Sequence, residues 1–151
     1  MVVGPYHRQA LSAADQPDAK TITMGNEFPN QPGGAHLRTI AMPRDANASG
    51  DIFGGWTLSQ MDLAGGTFAA NHSGKRVVTV RIEAVEFLTP VYIGDDVSVF
   101  CWLEEEGNTS LKVRMETWVR GRDGANPHKV TEGVFTYVAV GEDGKPQPIS
   151  S

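Results

Sequence analysis

The first regular alternation along the chain runs through His36-Leu37-Arg38-Thr39-Ile40-Ala41-Met42, polar and apolar by turns, and predicts a half-buried strand that Pro43 ends. Then the period changes. Between Trp56 and about Asn71, Thr57, Leu58, Met61, Ala64, Gly65, Phe68 and Ala69 fall on one stripe at about 100° per residue, with Gln60 and Asp62 at its borders, which predicts a long amphipathic helix. Gly65 and Gly66 each cost about 1 kcal/mol in a helix interior, and close approach to a sheet is the simplest compensation. Ser73-Gly74-Lys75 breaks the helix. Beyond it Val78, Val80, Ile82 and Ala84 share one strand face while Val85 and Phe87 are apolar on the other, so the inward face changes partway, as a β-bulge would arrange. Asp95 to Leu103, Ser110 to Val119 and Lys129 to Val140 follow as a meander, with turns at Glu106-Gly107-Asn108 and around Gly121-Arg122-Asp123-Gly124. One helix and about five strands make an α+β fold in which the helix covers one face of the sheet. Trp118 and several apolar residues are expected to point away from that face, which predicts a second buried surface, hence an oligomer.

Before this pattern the chain has none: residues 1–34 carry Pro5, Pro17, Pro29, Pro32 and Gly33-Gly34 and read as a flexible N-terminal arm. The domain is expected over 35–146, with a short C-terminal tail at 147–151. A chain of 151 residues with 40% hydrophobic residues suffices for one core. Its one cysteine, Cys101, makes no internal disulfide, and no export leader or membrane-spanning run is visible, so a soluble cytoplasmic protein is expected. Eighteen acids against 13 bases weigh against a nucleic-acid partner. An anionic small molecule needs only a local basic pocket and stays open.

No metal is expected, because His7, His36, His72 and His128 are scattered and Cys101 stands alone in a strand. There is no Gly-x-Ser-x-Gly elbow, and Gly50 to Gly55 fits no phosphate-loop spacing. The dense constellation is Asn47 to Gly55. It sets Asp51 just before the helix start, where free N–H groups and the positive end of the dipole lie. A cap or turn residue would look the same. Yet Asn47, Ser49, Gly50, Asp51, Gly54 and Gly55 together are more turn chemistry than a strand-to-helix join requires.

The runs Arg38-Thr39-Ile40-Ala41-Met42-Pro43, Asn47-Ala48-Ser49-Gly50-Asp51-Ile52-Phe53-Gly54-Gly55-Trp56 and Ser59-Gln60-Met61-Asp62 resemble the hot-dog acyl-CoA thioesterases, most closely the bacterial YciA-type branch. The likeness continues through Arg76-Val77-Val78-Thr79-Val80-Arg81, Phe87-Leu88-Thr89-Pro90-Val91, Gly94-Asp95 and Thr131 to Val140, covering about Leu37 to Pro146. It implies a hot-dog fold, a long central helix wrapped by a curved antiparallel sheet. It further implies a homo-oligomer whose minimal unit is a dimer joined sheet edge to sheet edge, with active sites at the interface and three dimers forming a hexamer. The implied reaction is hydrolysis of acyl-CoA to a carboxylic acid and coenzyme A, with no cofactor, since coenzyme A belongs to substrate and product, and with no membrane partner. Asp51 matches the catalytic acid residue, and Gly54 and Gly55 match the helix start whose N–H groups bind the thioester oxygen, which makes Asp51 and Gly55 the catalytic pair. Asn47 matches a residue shaping the loop, while Gln60 and Asp62 match polar helix positions that face the site from one or other subunit. Lys75 and Arg76, just past the helix, are candidates for the coenzyme A phosphates. The carboxylate either activates water or attacks to give a mixed anhydride. A non-catalytic acyl-CoA-binding hot-dog domain is the alternative. A hot-dog hydratase would need a His paired with an acid, and none of the four histidines lies in the motif.

Overall fold

The apolar stripe of the helix meets the surface its period demands. In the computed structural model, which describes residues 27–121, 124 and 126–150, α1 spans Gly54–Ser73 and buries Thr57, Met61, Ala64, Gly65 and Ala69. Its partner is an antiparallel sheet of β1 (Leu37–Ile40), β2 (Arg76–Phe87), β3 (Asp96–Glu106), β4 (Ser110–Arg120) and β5 (His128–Val140), in the order β1-β3-β4-β5-β2. The main core joins Met61, Ala64 and Ala69 of the helix to Val99, Cys101, Leu111, Val113, Met115, Phe135 and Tyr137 of the sheet. Gly65 is what lets the helix sit so close: a Cβ there would collide with the Tyr137 hydroxyl and lie 2.9 Å from the Met115 sulfur. Gly66 has ordinary room, 3.7 Å to the Tyr137 ring, so packing demands only one of the two glycines. The helix stops at Gly74, whose φ of 67° is left-handed and whose N–H bonds to Ala70 O at 2.8 Å.

A second, smaller cluster of Ala41, Ala46, Ile52, Val91, Val97, Val119 and Val130, flanked by Trp56 and Ile93, forms the floor of the loop between β1 and α1. That loop opens with a single 3-10 turn, Pro43–Asp45.

Three expectations change. On β2 the row Val78, Val80 and Ile82 is exposed, and Val77 and Val85 are the residues that pack on the core. The cause is irregular pairing with β5, with register shifts between Thr79 and Arg81 and between Glu83 and Glu86, the second containing Ala84 at φ 53°. The bulge is present, but it serves an edge strand whose outer row one chain leaves bare. Second, Trp118 is buried without a second chain, with its ring centroid 6.3 Å from that of Phe28 and its Nε1 donating to Glu116. Phe28 also packs on Phe100, and Gln31 donates to Cys101 O at 2.9 Å. Part of the stretch expected to be an arm is therefore bound to the sheet; residues 1–26 lie outside the described residues. Third, the C-terminal stretch folds back: Gln147 N–H bonds to Ala139 O, Ile149 N–H to Asn108 O, and Ile149 packs against the main core. The turn expected around 121–124 falls partly outside the described residues; of the two that are described, Gly124 N–H bonds to Gly121 O at 3.0 Å. Among the described residues, no helix is long and apolar enough to cross a membrane.

Candidate active site

Turn chemistry spent on Asn47 to Gly55 is accounted for bond by bond. Asn47 Oδ1 accepts the N–H of Ser49 at 2.9 Å and of Asp51 at 3.1 Å. The Asn47 N–H donates to Asp51 O at 2.7 Å, and Gly50, at φ 90°, returns its N–H to Asn47 O. Asn47 thus ties the loop into a closed ring that ends on Asp51. From the other side, Asp51 forms an antiparallel bridge with Tyr92, and Ile52 N–H bonds to Val91 O at 2.9 Å. The backbone of Asp51 is held twice. Among the described residues its half-buried carboxylate has no hydrogen-bond or ion-pair partner.

The capping reading of Asp51 fails on geometry. The residue at the N-cap is Phe53, extended at φ −57° and ψ 135°, and no side chain caps the helix. No acid stands in the first turn either. The N–H groups of Trp56 and Thr57 turn back to Phe53 O at 3.1 and 3.3 Å, which leaves Gly54 and Gly55 as the donors at the helix start. A Cβ on Gly55 would meet nothing within 4 Å, whereas one on Gly54 would lie 3.2 Å from the ring of Phe87. Gly55 therefore faces open space. Gly54 sits beneath an exposed aromatic wall of Phe87, with Phe53 also exposed at the same helix end. Asp51 precedes Gly54 by three residues, so their Cα atoms are no more than about 11 Å apart.

The remaining candidates do not all join this group. Gln60 is half-buried, and among the described residues its side chain makes a single hydrogen-bond contact, 3.5 Å to Ser59 Oγ. Asp62 ties helix to sheet: its Oδ1 accepts the Thr79 hydroxyl at 2.7 Å and the Tyr137 hydroxyl at 3.1 Å. Burial first, and the Asp62 charge second, raise the Tyr137 phenol above its ordinary pKa, so it stays a donor to that carboxylate. Lys75 and Arg76 lie past the opposite end of the helix, which at 1.5 Å per residue is about 30 Å long. One chain does not bring them to Asp51. His72, in the last helical turn, is equally remote and faces Glu106 at 3.3 Å. Cys101 is buried, and burial pushes its thiol up to about 12, well outside nucleophile range at neutral pH. Among the described residues, no three His, Cys, Asp or Glu side chains group as metal ligands would.

Two features of the site escaped the sequence pattern. Alternation marks Phe87 as a strand-face residue with no hint of its ring over Gly54, and the turn from Val91 to Asp95 shows no role beyond its motif. Only the fold sets the ring on Gly54 and the turn against Asp51.

Known proteins share this arrangement of chain. The family model of the Thioesterase superfamily matches residues 49–125, which include Asp51, Gly54 and Gly55. The acyl-CoA thioester hydrolase YciA of Salmonella typhimurium is 48% identical over 117 residues, covering 75% of this chain and 87% of that protein. Among solved structures, a hexameric thioesterase from Yersinia pestis superposes with a TM-score of 0.74 at 45% identity, covering 80% of this chain and 99% of that one. A hexameric hotdog fold thioesterase of Campylobacter jejuni gives a TM-score of 0.73 at 44% identity, over 78% and 91% of the two chains.

Proposed function

This chain belongs to the thioesterase superfamily, and from that premise we propose that it hydrolyses acyl-CoA thioesters to a carboxylic acid and coenzyme A, at the junction of Asp51 with Gly54 and Gly55. The observation that carries the reading is an uncapped helix start beside a carboxylate that caps nothing. The N–H groups of Gly54 and Gly55 donate to the thioester carbonyl oxygen, and the helix dipole reinforces them. As water adds to the carbonyl carbon, charge grows on that oxygen, where one preorganised donor is worth about 10²–10³ in rate. Asp51 takes the proton from the attacking water, and the tetrahedral intermediate then expels the coenzyme A thiolate. Direct attack by Asp51 would instead require an acyl anhydride. We assign the base role because activating water avoids that high-energy intermediate.

The working unit is a dimer. Among the described residues β2 pairs with β5 alone, and its exposed Val78, Val80 and Ile82 form an apolar edge. A second copy's β2 running antiparallel across a two-fold axis covers that row and sets the second copy's Lys75 and Arg76 beside Phe87, whose ring lies on Gly54. The two cations that one chain keeps a helix length away from Asp51 then reach the substrate's phosphates. Asp62, bonded to Thr79 of β2, lies along the same seam, with Gln60 two residues away on the helix. Three such dimers make a hexamer, the assembly named for the Yersinia and Campylobacter proteins. One buried, unpaired cysteine accords with a cytoplasmic location.

The test is free thiol. With a thiol-trapping reagent, acyl-CoA esters from acetyl to palmitoyl should yield coenzyme A over many turnovers. Saturable binding of the esters with no thiol release would replace this reading with a binding domain.

A further inference from the structure

One carboxylate outside the reacting centre is wholly buried in the floor of the loop. Asp95 Oδ2 accepts the Tyr92 N–H at 2.9 Å, and the Asp95 N–H returns to Tyr92 O at 3.0 Å. The pair of bonds closes Val91 to Asp95 into a turn at the entry to β3. Its far side is stitched to the end of β1, with Ala41 N–H donating to Asp95 O at 3.1 Å and Gly94 N–H to Ala41 O at 2.8 Å. Its near side is the rail on which the catalytic loop rests: Tyr92 bridges Asp51, and Ile52 N–H bonds to Val91 O. The chain from Asp95 through the Tyr92 backbone to Asp51 is therefore two links long. Burying a carboxylate is costly unless its bonds fix something, and here they fix the residue paired with Asp51.

We propose that Asp95 is a positioning residue for thioester hydrolysis, setting where the Asp51 carboxylate stands over the helix start. The proposal rests on the reading of Asp51 as the base. A base must lie within hydrogen-bond reach of its water, so a slack turn under Asp51 lowers turnover without removing any group that touches substrate.

The experiment places Asp95→Ala and Asp95→Asn in the full chain, alone and combined with Asp51→Ala, and measures kcat and KM by thiol release beside melting temperature and assembly mass. Asp95→Ala, folded and assembled, should lose about tenfold to 10²-fold in kcat with KM within about threefold. Asp95→Asn should recover most of that loss, because an amide oxygen accepts the same N–H. On the Asp51→Ala background, Asp95→Ala should change the residual rate by less than about twofold, since the position of an absent base no longer matters. If Asp95→Ala does not fold, Asp95→Ser, which keeps a shorter acceptor, takes its place in the same comparison. An equal loss on both backgrounds, a lower melting temperature with unchanged kcat, or failure of Asp95→Asn to recover activity would overturn the proposal. Full activity in Asp51→Ala alone would defeat the base assignment instead, a separate result.

Discussion

Asp51 and Gly55 are explained by what each lacks. A cap would give Asp51 a bond to the helix start, and none is made; a packing role would give the Gly55 position a neighbour, and a Cβ there meets open space. The dense turn residues of Asn47 to Gly55 made this loop legible in the sequence, because Asn, Asp and Gly have local work to do and the ring around Asn47 is local. Asp62 was legible only as a border position. Its partners, Thr79 and Tyr137, are 17 and 75 residues away, and no spacing rule reaches that far. Gly55 yields the sharpest residue-scale prediction. Alanine there should stabilise the helix by about 0.4–1 kcal/mol, since glycine is the costlier helix residue. On the proposed site the same methyl would intrude on the space assigned to the thioester oxygen, so kcat/KM should fall at least about tenfold. A more stable variant with unchanged kcat/KM would mean that substrate does not use this helix end.

At the scale of elements, the helix and the central strands were readable because their periods match the faces they bury: Met61, Ala64 and Ala69 on one side, Val113, Met115, Phe135 and Tyr137 on the other. β2 was readable as a strand but not by face. Alternation reports which residues avoid water, and at an edge strand the surface that shields them lies outside the chain. Phe28 over Trp118 was illegible for another reason, since a segment without period covers a strand some ninety positions later. Two adjacent glycines in α1 test the helix–sheet contact. Gly65→Ala should destabilise by about 1–3 kcal/mol through overpacking on Tyr137 and Met115. Gly66→Ala, with ordinary room, should instead gain up to about 1 kcal/mol. Urea denaturation of both variants decides the matter; equal shifts of the same sign would show that the helix does not lie as close as described.

Over the whole molecule, apart from Gln60 and Asp62 within the helix, the candidate residues separate into two groups that one chain holds at opposite ends of a 20-residue helix. Asp51, Gly54 and Gly55 stand at its start, with Lys75 and Arg76 past its end. In the dimer proposed above, antiparallel pairing of β2 with a second copy would reconcile them by returning the far end of that strand to the near end of the helix. A charge on that edge should therefore cost assembly and activity together. Val80→Glu, at a position 55% exposed in the single chain, should leave the fold intact by circular dichroism while light scattering reports a smaller particle and thiol release falls. A monomer with undiminished turnover would refute the shared site.

The central claim is that the Asp51 carboxylate does chemistry, and Asp51→Asn measures it most directly. Asparagine serves a turn or a cap as well as aspartate does but is no base at neutral pH. Thiol release by this variant should fall at least about 10²-fold while its melting temperature stays close to that of the parent protein. Parental turnover in Asp51→Asn would contradict the account at its root.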